Sequence, residues 1–100
     1  LQDSINIGNP ILVYFSGENC GVCKVLKPKI EEEIKKAFPK FELFEIKTDI
    51  YFELTAQYMI FSIPTTIIYF DKKEFKRYGR NMNMATFLEE IKRPYSLMCE

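Results

Sequence analysis

Cys20 and Cys23 bracket two small residues in Cys20-Gly21-Val22-Cys23. At this spacing the two thiols can close a small disulfide ring with little backbone movement. If Cys20 opens a helix, its thiolate also gains the field of the helix N-terminus. Such sites lower a cysteine pKa from about 8.5 into the range of roughly 3.5–7.5. The chemistry this offers is thiol–disulfide exchange, in which one thiolate attacks a disulfide and a second thiol resolves the mixed disulfide. Two buried structural cysteines, or half of a zinc site, are the competing readings. Zinc wants four ligands, and Cys99 is the one thiol left to serve as a third. The chain has no histidine, which also removes Cys–His and Ser–His nucleophile pairs.

The elements around the cysteines must hold them at a strand-to-helix turn. Ile11–Ser16 is apolar on both alternating faces, as suits a parallel strand covered by helices on each side. Ser16–Asn19 is polar, contains Gly17, and reads as the turn out of that strand. From about Gly21 the pattern becomes helical, with Leu26, Ile30 and Ile34 recurring every fourth residue until Phe38-Pro39. Pro28 predicts a kink in that helix. Phe41–Thr48 reads as a second strand and Tyr51–Met59 as a short helix with Leu54 and Tyr58 inward. Thr66–Phe70 and Phe75–Tyr78 form a hairpin across Asp71–Glu74. Asn83 caps a last helix whose buried stripe is Met84, Phe87, Leu88 and Ile91, and Pro94 ends it, leaving 94–100 as a tail. The order predicts an α/β fold: a four-stranded mixed sheet with helices on both faces, in one domain over residues 1–100.

Composition narrows the function classes. Forty-seven per cent apolar residues in 100 are ample for one core. Fourteen basic and fourteen acidic side chains cancel, so nothing favours nucleic acid or an anionic membrane surface as partner. No apolar run approaches the roughly 20 residues that span a bilayer. An odd count of three cysteines argues against a disulfide-stapled scaffold, and Leu1–Pro10 lacks the blocks of a signal peptide. The expected location is the cytoplasm.

Several motifs in register resemble the thioredoxin superfamily. Val13–Cys23 is similar to its strand leading into a Cys-Gly-x-Cys loop, and Lys24 and Pro28 to its lysine and helix proline. Asp49 lies at its strand end, Ile63-Pro64-Thr65 is similar to its cis-proline segment, and Gly79 follows the last strand. The resemblance covers roughly Ile11 to Lys92. It implies a three-layer α/β/α sandwich and a monomeric protein-disulfide reductase. Cys20 attacks from an exposed helix start, and the more buried Cys23 resolves. The implied redox group is the Cys20–Cys23 disulfide itself, with no bound cofactor or metal; a separate reductase or thiol donor supplies electrons.

The same resemblance assigns a substrate surface to Asn19, Gly21, Val22, Ile63, Pro64 and Gly79, shallow, apolar and mostly neutral. A cis bond before Pro64 would expose the backbone of Ile63 to pair with an extended substrate peptide. Gly21 lets the chain turn tightly into the helix. The chain departs from the family pattern at Asn19, where tryptophan is usual, at Tyr14, where many members bury an aspartate, and at Glu45, often a lysine. Glu45 has two readings: a carboxyl with raised pKa that takes the proton of Cys23, or a partly solvated strand residue near Lys47. Tyr14 reads as core with a satisfied hydroxyl, and Cys99 as a peripheral free thiol. Alternatives of other classes are a thioredoxin-fold binding module with little turnover, a glutathione-dependent glutaredoxin-like enzyme, and an oxidase or isomerase.

Overall fold

All six residues of β1 (Ile11–Ser16) are buried, and their alternation builds two cores at once. The computed structural model describes residue 5 and residues 7–99, without the side chain of Cys99, so the expected free thiol there lies outside the described residues. After β1 come α1 (Gly21–Ala37), β2 (Glu42–Lys47), α2 (Phe52–Gln57), β3 (Thr65–Phe70), β4 (Lys73–Tyr78) and α3 (Met84–Cys99). The sheet order is β2-β1-β3-β4, with β1 parallel to β2 and antiparallel to β3, and β4 antiparallel to β3.

One sheet face carries Leu12, Tyr14, Ile68 and Phe70 against Ile30 and Ile34 of α1 and Phe87, Ile91 and Tyr95 of α3. The other carries Ile11, Val13, Phe15, Ile67 and Tyr69, with Leu54 and Tyr58 of the α2 region packed on them. This is the expected three-layer sandwich. Fully burying each such side chain contributes about 1.5–3 kcal/mol, which makes β1 the main energetic link between layers.

Three element boundaries differ by more than one residue from the sequence expectation. The last helix does not stop at Pro94 but continues to Cys99, so 94–99 is helix and not tail. Pro94 withholds one backbone donor from the Glu90 carbonyl. The packing of Tyr95 offsets that loss: its ring stacks on Phe41, meets Phe38 at 4.8 Å, and its hydroxyl accepts from the Lys40 N–H. The hairpin turn is tighter than Asp71–Glu74. Asp71 and Lys72 alone make it, both at positive φ (50° and 72°), and β4 starts at Lys73. The short helix spans six residues and ends before Met59, which has φ 54°. Asn83 caps α3 as expected, its Oδ1 accepting from the Thr86 N–H at 3.0 Å. Among the described residues no helix is long and apolar enough to cross a membrane.

Strand direction decides what meets at one end of the sheet. The C-terminal ends of β1, β2 and β4 and the N-terminal end of β3 lie together. That end gathers the cysteine loop, the β2–α2 connection, Ile63-Pro64 and Gly79-Arg80.

Candidate redox site

Cys20 is the N-cap of α1. Its backbone is extended (φ −106°, ψ 99°), and its Sγ accepts the Cys23 backbone N–H at 3.1 Å. The sulfur thus takes the role an oxygen plays in ordinary capping, at the positive end of a 17-residue helix. No acidic residue occupies the first turn to weaken that field. Cys20 and Cys23 form a disulfide with Cα atoms 5.2 Å apart, inside the usual range for such bridges.

Cys23 is the more buried of the pair, at 2% exposure against 8% for Cys20. Cys20 is therefore less open than the exposed helix start expected. It packs with Cys23 and Tyr14 in the core cluster that Ile63 joins from the side. Gly21 is also different from expectation. It has no left-handed φ, and a Cβ there would meet nothing within 4 Å, so the turn into α1 does not require glycine.

The Ile63–Pro64 peptide is cis. Pro64 itself is fully buried, while Ile63 stays half-buried and packs against the core cluster that holds Cys20 and Cys23. Gly17, read from sequence as a plain turn residue, makes room for Ile63: a Cβ on it would stand 2.7 Å from Ile63 Cδ1. Asn19, Gly21, Val22 and Gly79 are exposed around this end. Beside these neutral residues the fold adds one charge that the sequence reading did not place there: Arg80 Nη2 donates to the Ile63 carbonyl at 3.2 Å. Arg80 escaped the sequence reading because two loops that meet only in the fold carry the contact. The same end displays an apolar surplus, with Ile50, Tyr51, Phe52, Met59 and Phe61 all exposed, Phe61 at 92%.

Glu45 faces the α1 layer, on the same side of β2 as Leu43, and lines with Cys23 a cleft of about 230 Å³. Of its two readings, the partly solvated strand residue near Lys47 fits, and the carboxyl with raised pKa does not. Burial alone pushes its carboxyl up, but hydrogen bonds from Lys27 and Ser16 and the charges of Lys27 and Lys47 more than offset this. The net result holds it below the ordinary carboxylate range. Lys27 Nζ lies 2.7 Å away, Ser16 Oγ donates at 2.7 Å, and Lys47 Nζ is 3.4 Å off. A carboxylate stabilised this way is a weak proton acceptor, which speaks against its role as base for Cys23. Lys27 was missed because it lies on a helix face that reads as solvated.

Tyr14 lies beneath the cysteine loop, and its hydroxyl donates to the Cys23 carbonyl at 2.8 Å. Burial first, and the Glu45 charge second, push its pKa up to about 12. It stays protonated at neutral pH and anchors the first turn of α1 to the sheet. Among the described residues no group of three or more His, Cys, Asp and Glu side chains suits a metal ion.

The family model for thioredoxin matches residues 2–93. A thioredoxin-like protein of Bacillus subtilis, YdfQ, is 27% identical over 85 residues, covering 85% of this chain and 75% of that protein. The mitochondrial thioredoxin of Mus musculus is 29% identical over 63 residues, or 63% of this chain and 38% of that longer protein. Among solved structures, Fasciola hepatica thioredoxin superposes with a TM-score of 0.73 at 31% identity, covering 86% of this chain and 81% of that one. With a cysteine-capped helix, a Cys20–Cys23 disulfide and this sheet order already in place, the match makes the chain a thiol–disulfide oxidoreductase of the thioredoxin family.

Proposed function

We propose that this protein reduces disulfide bonds in other proteins, with Cys20 as nucleophile and Cys23 as resolving thiol. The observation that carries this reading is the capping of α1 by Cys20 Sγ, which stabilises negative sulfur at that atom before any other. In the reduced protein the Cys20 thiolate attacks one sulfur of a substrate disulfide. The substrate bond breaks, the leaving sulfur takes a proton, and a mixed disulfide forms. Cys23, deprotonated, then attacks Cys20 Sγ, and the second substrate sulfur leaves and is protonated. The substrate gains two electrons and two protons, and the Cys20–Cys23 disulfide remains.

Its return to the dithiol needs two electrons from a separate reductase or thiol donor. The protein acts as a monomer with no bound cofactor, in a cytoplasm whose thiol pool keeps substrates reducible. Substrates dock as an extended segment beside Ile63, over the surface of Asn19, Val22 and Gly79. The cis peptide before Pro64 and the packing of half-buried Ile63 against the cluster that holds both cysteines support that docking mode.

Insulin-disulfide reduction driven by dithiothreitol tests the reading. The parent should accelerate precipitation, and Cys20→Ser should remove the acceleration. A folded, reduced parent that gives none would point instead to a binding module, and turnover supported by glutathione alone would point to a glutaredoxin-like enzyme.

A further inference from the structure

Arg80 lies where β4 has just ended. Continuing the β3–β4 register two residues past Thr66↔Tyr78 sets it beside Pro64, and its guanidinium donates to the Ile63 carbonyl at 3.2 Å. Arg77, three residues earlier, is gripped by Glu74 through both Nε and Nη2. Arg80 differs: among the described residues no carboxylate pairs with it. Its side chain is exposed, and four of its five N–H donors are left for a ligand. Gly79 next to it has no side chain, and a Cβ there would meet nothing within 4 Å, so the space in front is open.

We propose that Arg80 is a specificity-determining residue that favours protein disulfides whose reactive cysteine is flanked by aspartate or glutamate. The inference rests on the reductase reading, in which a substrate segment docks beside Ile63. A carbonyl oxygen has two lone pairs, so Ile63 can accept from Arg80 and from a substrate amide together. The bond to Ile63 fixes the guanidinium before substrate arrives and cuts the entropy cost of ordering it. A flanking carboxylate then meets a fork of parallel donors, while a flanking lysine or arginine meets a like charge. The occupant follows from charge complementarity: a cation held on the Ile63 carbonyl, with no carboxylate partner among the described residues, selects an anion.

The test uses the fully reduced protein and three cyclic disulfide peptides that differ by Glu, Gln or Lys next to one cysteine, at low ionic strength. Rates should fall in the order Glu, Gln, Lys, with roughly a three- to tenfold span, since an exposed pair and its like-charge reversal are each modest. The span should shrink at about 0.5 M salt, where screening is short-ranged. Arg80→Ala should bring the Glu-to-Lys ratio near one, and Arg80→Glu should invert it. A wild-type ratio near one, a ratio that survives in Arg80→Ala, or a uniform slowing of all three peptides with the ratio kept would each overturn the assignment. Hydroxyethyl disulfide, which carries no charge, separates the two levels. A wild-type protein that reduces it but shows no peptide preference sinks the role of Arg80 alone, whereas one that reduces neither sinks the reductase reading and this proposal with it.

Discussion

Glu45 is bound on three sides, by Lys27, Lys47 and the Ser16 hydroxyl, and these contacts define what it contributes. Its folded-state pKa is depressed, so its stabilising contribution is fully present above its unfolded value of about 4.3 and is lost as pH falls through the lower folded value. Glu45→Gln should therefore cost about 1 kcal/mol at pH 7, allowing for the solvent exposure of Lys27. The difference from the parent should vanish in acid, below the folded pKa. Denaturant melts from pH 7 down into acid check this; a cost that does not shrink as pH falls would mean that the charge is irrelevant. Tyr14 stands in the strand position beneath the cysteine loop and stays neutral there, so it orients the Cys23 carbonyl and exchanges no proton at neutral pH.

The β3–β4 hairpin shows how an element can be legible while its turn is not. The apolar run Ile67–Phe70 and the polar connection after it mark the hairpin, yet the two-residue turn sets aspartate and lysine at positive φ, the conformation that costs a side-chain-bearing residue most. Replacing Asp71-Lys72 by Asn-Gly should raise stability by about 1 kcal/mol with an unchanged denaturant m-value. A loss of stability would show that Asp71 or Lys72 makes a contact worth more than the relieved backbone. In α3 the opposite happened. Proline is a helix stop by local chemistry, but Tyr95 immediately after it is seated against Phe38 and Phe41, and the helix follows its tyrosine.

Across the whole molecule, chemistry and the aromatic lock occupy opposite ends. α1 runs roughly 25 Å from Cys20 to the Phe38 region. At the far end Phe38, Phe41, Phe70 and Tyr95 join α1, β2, β3 and α3. Tyr95→Ala should cost about 3–5 kcal/mol through the cavity it leaves, and Tyr95→Phe, which drops only the bond from Lys40, about 1 kcal/mol. In the Tyr95→Phe protein the pH dependence of thiol alkylation should match the parent; a shift would couple the two ends. The cysteine pair, the strand that feeds it, the helix it opens and the Ile-Pro-Thr segment are properties of local sequence. Spacing, apolar period and turn chemistry are all short-range, so residue order alone determined them. What meets across the fold was not legible there. The Lys27–Glu45 pair that helps to hold a carboxyl below its ordinary range, the Gly17–Ile63 contact, the helix beyond Pro94 and the placement of Arg80 on Ile63 all join residues far apart in sequence. Their distances are set by sheet register and layer packing, and only the tertiary structure decides which charge offsets which burial.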